Sequence, residues 1–443
     1  MLAAQRILRR SPRHALPTMH AMSLVSLRRD DDHVRGFRST APVERHPIML
    51  GLVGASLALT AHYTLRAHRR LQAEKEAQPF ERASMLLGLD LGLSSTRLAG
   101  LDTKGTHEDT IVAEPSAVQV RSGEVIVGAL AVKNAVPRLR DELLHWRPLT
   151  QLGVDASETD PAFTIDTVLT TLVRRLHEGV ANALEKDEDS VPCVVALPPS
   201  FGDAEKDRLR AILQAANMHV LGYVREPIAA VFAASDWDDT LRTVAVVDMG
   251  GVETQCSILN CTDPTAPVIL ASKATEGMSG ATVDAAIVEL LAREFQAKSS
   301  IDLRTDSLAM DRLREAAENA KKELSTAKVS HVNLPFITAD QKGAKHLEHA
   351  FSLSALQRLV APSLAEGRTV IAAALADAKL TPQDVDAVLF CGGGMKSKFM
   401  QGEIATYLDH PVVINTGNEE DAVVRGALEA GRRYWAEMEA ARE

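Results

Sequence analysis

Leu86-Leu-Gly-Leu-Asp90-Leu-Gly92-Leu-Ser94-Ser95 decides how the rest of the chain reads. It is a short apolar run closed by Asp-x-Gly and small hydroxyls. The pattern returns as Val244-Ala-Val-Val-Asp248-Met-Gly250-Gly251, 158 positions further on. Short apolar, β-branched runs bounded by glycine are the mark of buried strands. A strand entering a glycine turn lets backbone N–H groups close on a phosphate, because glycine has no Cβ to hold it off. An aspartate at the strand end offers a hard oxygen to Mg²⁺, usually through water. Two such turns suggest duplicated α/β lobes facing each other across a nucleotide. Two unrelated strand–turn units in an ordinary α/β protein would read the same way on these residues alone.

Working outward, Pro192-Cys-Val-Val-Ala-Leu-Pro-Pro-Ser-Phe reads as a strand and loop, followed by an amphipathic helix from Asp203 to Asn217. A short strand at Val220–Val224 then leads into Arg225-Glu226-Pro227. A further strand, Val385-Asp-Ala-Val-Leu-Phe-Cys, ends in Gly392-Gly393-Gly394. A helix is expected from Arg312 through Ser325. Within it Glu318, Lys321, Lys322 and Ser325 stand at i, i+3, i+4 and i+7, which puts them on one face. By spacing alone that face is a solvated one or a ligand-binding one.

In their order and content these motifs resemble the ATPase domain of the heat shock protein 70 family. The likeness runs from about Leu86 to Ala430, and the Arg312–Ser325 helix is its most specific part. The resemblance implies a two-lobed α/β actin-like ATPase fold, each lobe a mixed sheet flanked by helices, with ATP or ADP and Mg²⁺ in the cleft. Carried over by position, Asp90 and Asp248 would organise the Mg²⁺ waters, with Asp248, Lys133 and Glu226 as the catalytic set. Lys133 would meet the γ-phosphate and Glu226 the attacking water. Gly92, Ser94, Ser95, Gly250 and Gly251 would cradle phosphates. Glu318, Lys321, Lys322, Ser325, Gly392, Gly393 and Lys396 would hold adenosine. Phosphoryl transfer needs positioning and cationic stabilisation more than covalent help, so this set suits it. On residue type alone Lys133 is an ordinary surface lysine.

The chain departs from the family around the γ-phosphate. Leu93 stands where the family has Thr, and Val252-Glu253-Thr254-Gln255 where it has Gly-Thr-Phe-Asp. Ser279-Gly280-Ala281-Thr282-Val283-Asp284 replaces a Gly-Gly-Glu-Asp-Phe-Asp run, and Gly394-Met395-Lys396 replaces Ser-Thr-Arg. Val252 is expected to restrict the second turn. Lys322 also stands where Arg is usual, and a lysine stacks less well on a base. Only Ala427 to Glu443 follow Arg425-Gly426, so no peptide-clamping module is expected.

Charge is divided along the chain. Residues 1–84 carry 14 Lys/Arg against 7 Asp/Glu, whereas the whole chain is at −10. So acidic a body is a poor partner for nucleic acid. The four cysteines form no CxxC pair, which argues against a disulfide framework or a structural zinc site. Residues 1–46 hold nine Arg and no Lys, and read as a mitochondrial presequence despite Asp30-Asp31-Asp32. A disordered basic tail, or a start at Met49, are the other readings. Ile48–Leu65 is 18 residues without formal charge between Arg45 and Arg66, long enough for one membrane helix. A cleaved signal or a buried helix would also fit.

The expected organisation is therefore a presequence (1–46), an anchor (47–66), a linker (67–84), lobe I (85–240), lobe II (241–416) and a C-terminal helix returning to lobe I (417–443). The expected protein is a slow ATPase of the mitochondrial membrane, or of the endoplasmic reticulum membrane if Asn260-Cys261-Thr262 is glycosylated. Its expected partners are nucleotide and a co-chaperone or another chaperone. A non-enzymatic nucleotide-binding scaffold and a sugar or metabolite kinase are the alternatives, and the Arg312–Ser325 helix speaks against the kinase.

Overall fold

The strand that carries the first turn, β1 (Met85–Leu91), is buried from Met85 to Leu89. Its apolar side chains alternate between two packed faces, as a central strand requires. The computed structural model describes residues 83–92, 94–104, 109–121, 124–131, 164–186, 190–235, 237–238 and 240–440, all within one unit, His68–Glu443. The expected presequence, the anchor, nearly all of the linker, Leu93 and Lys133 lie outside the described residues.

Around β1 stand β2 (Ser95–Asp102), β3 (Thr110–Pro115), β6 (Val191–Leu197) and β7 (Met218–Arg225), in the order β3-β2-β1-β6-β7. The pairs β1–β2 and β2–β3 are antiparallel, whereas β1–β6 and β6–β7 are parallel. A small hairpin, β4 (Val118–Arg121) and β5 (Glu124–Val127), stands apart from this sheet. Helices α1 (Ile165–Ala183) and α2 (Asp203–Ala215) cover one face, where Val168, Leu172, Leu176 and Val180 meet Leu87, Leu89 and Leu98. Burying each such side chain contributes roughly 1.5–3 kcal/mol.

The second sheet repeats the first. Strands β8 (Thr243–Met249), β9 (Thr254–Asn260), β10 (Val268–Thr275), β13 (Ala387–Cys391) and β14 (Val412–Ile414) are ordered β10-β9-β8-β13-β14. Strand directions match one for one: two antiparallel pairs, then two parallel. One face carries α4 (Gly280–Ser299), α5 (Ser307–Glu323), α6 (Leu353–Ala378) and the long hairpin β11 (Val329–Asp340) with β12 (Gly343–Ser352). Helix α6 is long and apolar enough to cross a membrane. In this fold its stripe Leu356, Val360, Leu364, Ile371 and Leu375 packs into the second core.

Two helices serve both sheets. Helix α3 (Glu226–Phe232) follows β7 directly, and α8 (Ala422–Ala440) comes after β14, with α7 (Lys398–Tyr407) between β13 and β14. Ala229, Ala230, Val423 and Ala427 share one cluster with Val194 and Ala196 of the first sheet and Val244, Val246 and Leu389 of the second. Their small side chains permit close approach: a Cβ on Gly426 would collide with the Ala229 carbonyl, and one on Gly88 with the backbone of Leu428.

Several expected boundaries move. The helix expected from Arg312 begins a turn earlier, where the Asp306 carboxylate accepts the Ala309 N–H at 3.1 Å. It ends at Glu323, so Ser325 lies in the following turn and not on the helix face shared by Glu318 and Lys322. There its hydroxyl donates to the Lys322 carbonyl, 2.6 Å away, satisfying one of the terminal carbonyls. The helix expected to reach Asn217 ends at Ala215, where Asn217 takes a left-handed backbone at φ 62°.

Candidate functional site

Both Asp-x-Gly turns leave their sheets at equivalent places, the ends of β1 and β8. Asp90 lies in register with Ala196 on the parallel neighbour, and Asp248 with Cys391. The turns meet face to face, since a Cβ built on Gly251 would run into the Ser94 side chain. A glycine is required there by the close approach of the opposite turn.

A third element closes the floor. Gly392, after β13, has φ 80°, and a Cβ there would fall 2.5 Å from Asp248 Oδ1. Glu226, at the first position of α3, is 6 % exposed. It lines a cavity about the size of one water together with Asp248, Gln255, Ser257 and Cys391. The Cys391 thiol is pushed well above its ordinary value, first by burial and then by the charges of Asp248, Asp90 and Glu226. Glu226 and Asp248 thus share one buried cavity with the Cys391 thiol. Among the described residues no group of three or more His, Cys, Asp or Glu is arranged to hold a metal by itself. Hard carboxylate oxygens beside glycine turns suit a cation that keeps much of its water, as Mg²⁺ does.

Each turn is braced differently. In the first, the Ser116 hydroxyl donates to Gly92 O at 2.6 Å and lies 2.8 Å from Thr96 Oγ1, and the Ser116 N–H donates to Ser94 O at 3.0 Å. In the second, Gly280 N donates to Gly250 O at 3.0 Å and Ala281 N to Gly251 O at 2.7 Å, both from the start of α4. Val252 is buried beside this turn and is not among the residues with positive φ. The restriction expected of it is therefore met without backbone strain.

The adenosine residues are distributed less simply. Lys321 points back toward the second turn, donating to Asp284 Oδ2 at 2.6 Å and to Gly280 O at 3.3 Å. Burial pushes the Asp284 carboxyl up, with Lys321 opposing. Lys322 and Glu318 pair with each other at 2.6 Å on the exposed side of α5. Gly393 lies against Glu420. Lys396 pairs with Glu420 at 2.9 Å, and Glu420 also binds Arg97 of β2 at 3.1 Å. Burial raises the Glu420 carboxyl, but Lys396 and Arg97 outweigh it and hold it below the usual range. Sequence reading missed Ser116, Asp284 as partner of Lys321, and the Arg97–Glu420–Lys396 chain. None of these has a local spacing signal, because each pairs residues distant along the chain.

The repeated sheets, shared central helices and facing Asp-x-Gly turns define the two-lobed actin-like ATPase fold. A family model described as Hsp70 protein matches residues 144–431, about two thirds of the chain. The chain belongs to the Hsp70 family and is an ATP-binding, chaperone-like protein; the family binds ATP or ADP with Mg²⁺. The match begins after the Asp90 turn, so the place of that turn rests on the repeated sheet topology.

Proposed function

We propose that this chain binds Mg²⁺-ATP and Mg²⁺-ADP between its two glycine turns and hydrolyses ATP slowly, as a chaperone-like nucleotide switch. The observation that carries this reading is the packing of Gly251 against Ser94, which brings two topologically equivalent Asp-x-Gly turns together. Asp90 and Asp248 would hold Mg²⁺ through water, and the ion would supply neutralisation of phosphate charge. Glu226 orients and deprotonates the attacking water from a buried position at the same cavity. Lys133 offers its ammonium to the γ-phosphate. Gly392 and Gly393 leave room for the ribose, and Lys322 with Glu318 face the base.

Hydrolysis is slow because Leu93 and Glu253 remove two hydroxyls and Glu253 adds a carboxylate near the second turn. Losing one preorganised donor costs on the order of 3 kcal/mol in the transition state, roughly a hundredfold in rate. Calorimetry on the full chain should show Mg²⁺-nucleotide binding, and silence at millimolar nucleotide would end the reading. In single-turnover assays the Leu93→Thr, Val252→Gly, Glu253→Thr triple variant should hydrolyse faster than the wild type. Equal rates at equal affinity would remove these residues as the cause.

A second reading, a nucleotide-binding scaffold or regulator of another chaperone, is favoured by the adenosine-side cations. Lys321, Lys322 and Lys396 are each already paired with a carboxylate. The same assay separates it, since a scaffold binds nucleotide and yields no ADP. We also propose attachment to a mitochondrial membrane through Ile48–Leu65, supported by its composition and the Arg-rich segment before it. Release by alkaline carbonate would refute this.

A further inference from the structure

One face of the second sheet carries a polar stripe where its surroundings are apolar. Asp248 on β8 pairs across to Gln255 on β9, Val246 to Ser257, and Ser257 to Ser272 on β10. Gln255 and Ser257 are two apart on one strand and so share a face. Val244, Val246, Leu259 and Leu389 of this sheet cluster with the shared helices. Polar groups in such a layer are costly unless they bond one another. These do: Gln255 Nε2 donates to Ser257 Oγ at 3.3 Å and to Ser272 Oγ at 3.1 Å, and the two hydroxyls lie 2.9 Å apart. Ser257 is 1 % exposed, whereas Ser272 is only half-buried on the outermost strand. At its inner end the stripe opens on the water-sized cavity that Glu226 and Asp248 line. A polar path thus runs from two carboxylates to the sheet edge.

We propose that this stripe is the proton exit of the hydrolytic site. The inference rests on the hydrolysis proposed above. When water attacks, its oxygen bonds to the γ-phosphorus, and the bond to the β–γ bridging oxygen breaks with its electron pair staying on ADP. The water proton passes to Glu226 and on to a water in the cavity. From there Ser257 accepts a proton on a lone pair and releases its own to Ser272, which releases its own to solvent. Gln255 carries no proton; its two donated bonds occupy one lone pair on each hydroxyl and aim the rest along the path. It and the two serines are positioning residues, acting through Glu226. An apolar pair at Ser257 and Ser272 would fill the same space without the polar cost, which is why packing alone does not account for the stripe.

The test is single-turnover hydrolysis of Mg²⁺-ATP by the full chain, read as ADP formation in H₂O and D₂O, with proton release followed by an indicator dye. Ser272→Ala should slow turnover roughly tenfold, part of the hundredfold or so that positioned proton transfer supplies. It should also change the solvent isotope effect while leaving nucleotide affinity and melting temperature at wild-type values, and Ser272→Thr should restore both kinetic readouts. Ser257→Ala should behave as Ser272→Ala does. Wild-type rates and isotope effects in both alanine variants would overturn the relay. So would a slowing that Ser272→Thr fails to reverse, or one without an isotope change, since those report packing. A wild-type chain that forms no ADP would end both this inference and the hydrolysis on which it rests.

Discussion

The two glycine turns occupy equivalent places in equivalent sheets, yet they are fixed by different means. The first is tied by Ser116, from the loop after β3, through its hydroxyl to Gly92 O and its main-chain N–H to Ser94 O. The second is tied by the backbone of α4, through Gly280 and Ala281. The reason each needs glycine also differs. A Cβ on Gly92 would lie 2.5 Å from the carbonyl of Ser95 in its own turn, whereas a Cβ on Gly251 would strike Ser94 of the other turn. One glycine serves the folding of its own loop; the other serves the meeting of two loops. Topological repetition therefore does not carry equivalent energetics with it.

The largest effect should separate those two reasons. Gly92→Ala and Gly251→Ala should each weaken nucleotide binding at least tenfold, about 1.4 kcal/mol. Adding Ser94→Gly should recover most of the loss in Gly251→Ala and none in Gly92→Ala, because only the first clash is with a side chain that can be removed. A calorimetric double-mutant cycle without coupling between positions 94 and 251 would contradict the contact.

A smaller effect should appear in the braces. Ser116→Ala orphans Gly92 O and Thr96 Oγ1 and should cost about 1–3 kcal/mol in urea unfolding. No single side-chain deletion can undo the backbone brace of the second turn. Thr254→Val, which removes the Thr254 hydroxyl donated to Met278 O at 2.5 Å beside that turn, should cost about 1 kcal/mol. Equal losses would erase the distinction.

The smallest effect concerns pH. Burial raises the Asp284 carboxyl in the folded chain, and Lys321 moderates the rise. An aspartate raised on folding binds its proton more tightly in the native state. Its penalty is therefore full above the folded pKa and is relieved as pH falls through that value toward the unfolded one. Lys321→Met removes the moderating charge and should destabilise the protein at neutral pH by about 0.5–1 kcal/mol, with part regained in acid. A loss independent of pH would show that Lys321 acts by packing alone.

What the sequence made legible was what local pattern determines. The apolar runs before Asp90, Asp248 and Gly392 are strands β1, β8 and β13, and their repetition matches the repeated sheets. Charge pairing was not legible. Lys396 sits in a turn with no acidic neighbour in sequence, and its partner Glu420 is 24 positions away. Lys321 and Asp284 belong to different helices, so no helical spacing relates them. At Val252 residue type indicated a restricted turn but not its backbone angle, which is not among the positive-φ positions.

The contact between Gly426 and Ala229 has a mechanical consequence. At most places in the core, side chains separate neighbouring elements by a layer that can shear or repack; Gly426 on Ala229, like Gly88 on Leu428, is an exception. Here two rods touch main chain to main chain at one point, and nothing between them can yield. Such a joint resists sliding and permits turning, as a fulcrum does. Because α3 follows β7 directly and α8 packs on the first sheet while sharing a cluster with the second, any rotation at that point would sweep a larger arc at the outer edges of both sheets. The lever arms are the sheets themselves, and their load is whatever lies between the two glycine turns.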